Sequence, residues 1–391
     1  MTPAARVQAA IELLDLVIEA ARSRGAPADR IVAEWFRSRR FAGSKDRRAV
    51  RELLYRAIRV CGPVPPTGRS AMLRLAADDQ SLVTLFDGSR HGPAPLCDDE
   101  EVAEGGCAPA WLEDRLRASD IAGEELEALL DRAPLDLRIN TLRGADPLLP
   151  IAGDVTQARN ALRYPAGTQV ERWDAFRDGA VEVQDTGSQL ACEALGVQPG
   201  QTVVDFCAGA GGKTLSLAAA MENKGRLLAC DVDRARLSRL APRVERAGVT
   251  NVETRLLDAG RETAGLTDWA GIADAVLVDA PCSGTGTWRR NPEARWRLNE
   301  DELARTCTLQ QRVLDMAASL VRPGGRLLYV VCSLLDEEGG DQIDCFLSTH
   351  RGWQIEPFVL PAGRERSGGV RLTPLHDGTD GFFIARLVSP C

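Results

Sequence analysis

Histidine is almost missing: the 391 residues hold three, His91, His350 and His376. None lies near another His or Cys, which argues against a zinc site. Cysteine is plentiful at eleven, but the number is odd and no Cys-x-x-Cys occurs. Cys192 and Cys230 sit inside apolar runs, so free thiols in a reducing compartment are expected rather than a disulfide framework. No apolar run reaches the roughly 18 residues that would cross a bilayer. The opening MTPAARVQAAIELLDLVIEA carries Glu12, Asp15 and Glu19 within its apolar pattern. That excludes a signal peptide and reads as a helix, with the cytoplasm as the expected compartment. Lysine is scarce too, three against 45 arginines. An arginine bias of that size resembles codon usage in a GC-rich genome, so a single arginine carries little information. One lysine, Lys213, carries more.

The net charge of −8 speaks against a general nucleic-acid coat. Residues 1–60, however, carry a net +6. Val7, Ala10, Ile11, Leu14, Val17, Ile18 and Ala21 share one helical face, and Val50, Leu53, Leu54, Ala57 and Ile58 another. Arg48, Arg56 and Arg59 point away from that second face, giving a small helical bundle with a basic surface. GPVPP (62–66) interrupts it, and GPAPLCDDEEVAEGG (92–106) is an acidic loop. LDLRINTLR (135–143) alternates like a strand and opens a small mixed segment. From about residue 185, short apolar runs such as GRLLACDVD and DAVLVDAPC alternate with helical stretches. This pattern means a doubly wound, mostly parallel α/β sheet, whose ligands bind at the carboxyl ends of the strands. The expected domains are 1–130 (helical), 131–183 (small α/β) and 184–391 (the α/β sheet).

VVDFCAGAGGKT (203–214) runs from a strand into a glycine-rich turn and a helix. A Walker A loop would need glycine where Cys207 stands, and a dinucleotide fingerprint would need glycine where Thr214 stands. A phosphate-binding ATPase is thereby left as an outside alternative. The third reading is S-adenosylmethionine. Its turn would be Cys207, Ala208, Gly209, Ala210, Gly211, Gly212 and Lys213. Asp231 would reach the ribose hydroxyls, Asp258 the adenine amino group, and Asp279 ends a further strand. Cys207 reads as packing rather than catalysis.

Two cysteines end two apparently parallel strands, Cys282 in DAPCSGTGTWRRNPEARW and Cys332 in GGRLLYVVCSLLDEE. A methyl donor combined with two thiols points to carbon 5 of a pyrimidine. That carbon becomes nucleophilic only after a thiolate adds to carbon 6, and the thiol must later be released.

These stretches, with CAGAGGKT, resemble motifs IV, VI and I of the RsmB/Sun-type RNA cytosine-5 methyltransferases, over roughly residues 130–391. The resemblance implies an S-adenosylmethionine-dependent enzyme with a Rossmann-like class I fold. In it Cys332 would be the nucleophile and Cys282 would assist release. Asp279 would hold the pyrimidine edge, with Lys213 near cofactor and base. VQDTGSQLACEAL (183–195) and DGTDGFFIARL (377–387) resemble further family segments. Val331 departs from the family's usual Thr, and Gly339-Gly340 from its usual Asn. FRSRRFAGSKDRRAVRELLYRAIR (36–59) resembles, in abbreviated form, the NusB-like helical domain joined to RsmB proteins. Its arginines suit phosphate contacts. Trp288, Trp296, Arg289, Arg290, Arg295 and Arg297 are expected to stack unpaired bases. The implied substrate is small-subunit ribosomal RNA, with transfer RNA next, bound by a monomer away from any membrane. An RNA-binding assembly factor that keeps the fold without turnover is the alternative of a different class.

Overall fold

The apolar face over residues 7–21 folds as α1 (Pro3–Arg22), with Val7, Ile11, Leu14, Val17 and Ile18 buried. The Thr2 hydroxyl caps it by accepting from the Ala5 N–H at 3.2 Å. Pro3 stands at the helix start, where a missing N–H is harmless. α2 (Ala28–Ser38), α3 (Ser44–Val60) and α4 (Gly68–Asp78) share its core, which holds Trp35, Phe36, Leu54, Ile58 and Met72. α5 (Ala110–Ala118) and α6 (Glu124–Ala128) follow. In this computed structural model, which describes all 391 residues, the helical unit is Met1–Asp131 together with Thr287–Asn299.

That second piece corrects the expectation of base-stacking side chains. Trp288 is 0% exposed and Trp296 4%, and Trp296 belongs to the helical core. Its indole N–H donates to the Gly62 carbonyl at 3.2 Å. Arg295, with no exposed surface, donates to the carbonyls of Ile58 and Cys61 at 2.7 Å each. It thus satisfies groups that the end of α3 leaves open. Arg297 donates to Gly25 and Ala26 carbonyls at 2.8 and 2.6 Å. The segment is structural cement for the helices, so its rings have no free face. Arg59 does not simply point outward either, since it donates to the Arg289 carbonyl at 3.3 Å.

The other unit is Arg132–Gly286 with Glu300–Cys391. It begins with an antiparallel sheet ordered β2–β3–β1–β4. Its strands are β1 (Leu135–Ile139), β2 (Asp154–Val155), β3 (Ala161–Tyr164) and β4 (Val181–Val183), with α7 (Asp174–Arg177) leading into β4. The strand read over 135–143 ends early, because the Asn140 side chain accepts from the Leu142 N–H at 3.2 Å and turns the chain.

Then the alternation expected from the sequence appears. α8 (Thr186–Leu195) precedes β5 (Thr202–Phe206), α9 (Gly212–Ala220) and β6 (Arg226–Asp231). α10 (Arg234–Leu237) and α11 (Leu240–Ala247) lead to β7 (Val252–Leu256). The sequence suggests one helix across α10 and α11. Pro242 has no N–H to give the Ser238 carbonyl, and the helix breaks there. β8 (Ala273–Asp279), α12 (Glu300–Ala318) and β9 (Val321–Val331) follow. α13 (Gly340–Thr349), β10 (Gln354–Ile355), β11 (Arg364–Arg366), β12 (Gly369–Leu372), α14 (Pro374–Asp377) and β13 (Phe382–Val388) close the chain. The large sheet runs β11–β12–β13–β9–β8–β5–β6–β7, with β10 also on β13. Strands β5 to β9 pair in parallel, and β13 is antiparallel to β9. The carboxyl ends of β5, β6, β8 and β9 therefore open on one side. No helix is long and apolar enough to cross a membrane.

Candidate active site

Asp205 lies just before the end of β5, fully buried. Its Oδ2 accepts from the Thr214 hydroxyl at 2.5 Å, while Oδ1 has no partner. Burial pushes this carboxyl up to about 7. Above it the chain turns through Cys207 (φ +68°), Gly209 (φ +55°) and Gly211 (φ +82°) into α9. A Cβ on Gly211 would stand 2.0 Å from Leu240 Cδ1, so only glycine fits. Gly212 opens α9 with nothing near the place of its missing Cβ. Arg243 steadies the turn by donating to the Ala210 carbonyl at 2.7 Å, and also pairs with Glu182 of β4 at 3.0 Å.

Asp231 ends β6. One oxygen accepts from Gly209 N–H and the other from Asp233 N–H, both at 2.7 Å. These bonds fix the carboxylate against the glycine turn and leave further lone pairs for hydroxyl donors. Asp258 follows β7 and is exposed. The glycine turn, with open space at Gly212 and the Asp231 carboxylate beside it, would suit S-adenosylmethionine.

Asp279 ends β8 and pairs with Lys213 Nζ at 2.7 Å. Burial opposes the Lys213 charge, but Asp279 outweighs it and holds the lysine above its ordinary value. Lys213 also lies 5.7 Å from the Phe382 ring centre and interacts electrostatically with Cys332.

β8 and β9 are parallel neighbours in register, Asp279 opposite Val330. The residues just beyond their ends must therefore meet. Cys282 Sγ and Cys332 Sγ are 3.3 Å apart. The hydrogen bond to Cys332, burial, and the nearby Glu338 carboxyl all push the Cys282 thiol well above its ordinary value. Cys282 accordingly holds its proton, and either sulfur can be the donor across the pair. The serines that follow repeat the arrangement, with Ser283 and Ser333 hydroxyls 3.2 Å apart. Thr285 joins Ser333 at 3.1 Å and accepts from the Leu334 N–H at 2.9 Å. The Gly286 N–H donates to the Cys332 carbonyl at 3.0 Å.

The expected residues Cys207–Lys213, Asp231, Asp279, Cys282 and Cys332 thus converge at strand ends of one unit. Sequence reasoning missed the polar set behind the cysteines, Ser283, Thr285, Ser333, Gln310 and Glu338. The doubled Cys-Ser was the available signal. The Gly339-Gly340 departure has a physical cause: a Cβ on Gly340 would stand 2.3 Å from Ser367 Cβ. Val331 is wholly buried in the sheet, where an apolar side chain suits it.

Residues 192–388 match the family model described as 16S rRNA methyltransferase RsmB/F. The chain belongs to the RsmB/F methyltransferase family. A relative from Synechocystis sp., a probable ribosomal RNA small subunit methyltransferase B, is 33% identical over 313 residues, 75% of this chain and 69% of its own. The crystal structure of PH0851 superposes with a TM-score of 0.72 at 28% identity, covering 99% of both chains. A methyltransferase homolog protein from Pyrococcus horikoshii gives 0.61 at 26% identity, over 71% of this chain and 94% of its own. The RsmB/F match spans Cys207–Lys213, Asp231, Asp258, Asp279, Cys282 and Cys332. The cofactor of this RsmB/F chain is S-adenosylmethionine.

Proposed function

We propose that the chain methylates carbon 5 of a cytosine in small-subunit ribosomal RNA through a covalent bond between Cys332 and carbon 6. The observation that carries this reading is the pair of thiols 3.3 Å apart just beyond the ends of two parallel neighbouring strands. Cys332 has the Lys213 ammonium in its field, whereas Cys282 has Glu338. The hydrogen bond to Cys332, burial and Glu338 hold Cys282 as a thiol, which suits it to proton donation rather than attack. The ribosomal substrate is proposed because the Synechocystis relative carries that description.

The Cys332 thiolate forms the S–C6 bond, and the displaced electron pair makes carbon 5 nucleophilic. S-adenosylmethionine, when bound, supplies the methyl group. Once carbon 5 is methylated, a base takes its proton, that electron pair restores the C5–C6 double bond, and the sulfur leaves as thiolate. The Cys282 thiol, 3.3 Å from Cys332, donates its S–H to the departing thiolate. Asp279, held by Lys213, is the group for the pyrimidine edge. The N-terminal arginines are proposed to hold phosphates and position the RNA.

The test is transfer of labelled methyl from S-adenosylmethionine to unmodified total RNA, followed by hydrolysis to nucleosides. Label in 5-methylcytidine of small-subunit ribosomal RNA is expected. Label in transfer RNA alone would move the substrate. RNA binding without label would favour an assembly factor, and label in another nucleoside would end the cysteine mechanism.

A further inference from the structure

Glu338 is the second acid after the Cys332 strand and has no exposed surface. No cation pairs with it. Its Oε1 accepts from the Ser283 N–H at 2.8 Å and from Gln310 Nε2 at 3.0 Å, and its Oε2 accepts from the Ser283 hydroxyl. Gln310, wholly buried on α12, spends its other N–H on the Pro281 carbonyl at 2.8 Å. The Gln310 oxygen is buried without a partner. A buried amide that leaves its acceptor unsatisfied is costly, so this one is retained for its two N–H groups. The Tyr329 hydroxyl donates to the Glu338 carbonyl at 2.7 Å and fixes the acid's own backbone. Residues 281 and 283 are thus gripped on both sides of Cys282.

Cys332 is touched by this grip only through its neighbour Ser333, and its own place is set mainly by the sheet. It follows β9, whose last residue Val331 pairs with Phe383 of β13, and its carbonyl accepts from Gly286. We propose that Glu338, together with Gln310, is a positioning residue that holds Cys282 against Cys332, and so governs release of the methylated RNA rather than its methylation. This rests on the two-cysteine reading above.

The test uses the full chain, an in vitro transcribed small-subunit ribosomal RNA and labelled S-adenosylmethionine in single turnover. Label in RNA is followed in parallel with RNA retained on protein under denaturing electrophoresis, and circular dichroism melts check folding. Cys282→Ala, the control, should retain RNA. Glu338→Ala should incorporate label at close to the wild-type rate, while its complex decays about tenfold more slowly, the size of one lost charged hydrogen bond. Glu338→Gln, whose amide can still accept from the Ser283 N–H and donate to its hydroxyl, should return decay to within about threefold of wild type. Gln310→Met should slow decay by a smaller factor than Glu338→Ala, and it carries the test if Glu338→Ala does not fold. Wild-type decay in a folded Glu338→Ala or in Gln310→Met overturns the proposal. So does equal loss of label and complex in Glu338→Ala. If Cys282→Ala retains no RNA, the two-cysteine reading fails first and takes this one with it.

Discussion

Asp205 has no exposed surface, one hydrogen-bonded oxygen and one without a partner. Burial raises its carboxyl to about 7 in the native state, against about 3.9 in an unfolded chain. Between those values the native state holds a proton that the unfolded state has lost, so stability falls as pH rises from about 4 to 7. Asparagine keeps the acceptor for Thr214 and does not titrate. Asp205→Asn should therefore gain on wild type between pH 5 and pH 8, by on the order of a few kcal/mol. Denaturant midpoints of both proteins at the two pH values measure this; parallel pH profiles would contradict it. Asp231 and Asp279 are legible in the sequence because each closes an apolar run. That Asp205 supports the turn from below, while Asp231 bonds the glycine backbone, was not legible. Both follow from burial that only the packed sheet creates.

At the scale of elements, two parallel strands ending side by side bring residues 50 positions apart into contact. This much was legible, since parallel pairing follows from strand–helix alternation. The crossing of loops behind the cysteines was not, because it depends on backbones rather than on side-chain pattern. Gly286 lies against Gly381, whose N–H donates to the Gly286 carbonyl at 2.8 Å. A Cβ on Gly286 would meet the Gly381 carbonyl oxygen at 2.2 Å. No rotamer relieves a clash with backbone, so Gly286→Ala should cost about 1–3 kcal/mol and displace the loop that carries Cys282. A thermal melt with a single-turnover assay checks it. An unchanged melt would show that the two loops can separate freely. Pro242, which splits α10 from α11, is readable in the sequence, but the apolar period across it reads as one helix.

Over the whole molecule, the basic charge of residues 1–60 overstates what is free to meet RNA. Arg6 pairs with Asp46 at 2.9 Å, Arg56 with Asp79 at 2.7 Å, and Arg39 lies over the Trp35 ring. The chain also leaves the sheet-bearing unit at Gly286 and returns to it at Glu300, and the segment between completes the helical core. The helical unit is therefore not an appendage that can be cut off after residue 60 without uncovering Trp296. The central claim concerns two sulfurs with different tasks. It is tested most directly by incubating Cys282→Ala, Cys332→Ala and the double variant with small-subunit ribosomal RNA and S-adenosylmethionine, then resolving each by denaturing electrophoresis. Cys282→Ala should carry RNA as a band that survives denaturation, and Cys332→Ala and the double variant should carry none. A surviving band in Cys332→Ala but not in Cys282→Ala would reverse the two roles, and full activity in both single variants would reduce the thiols to packing.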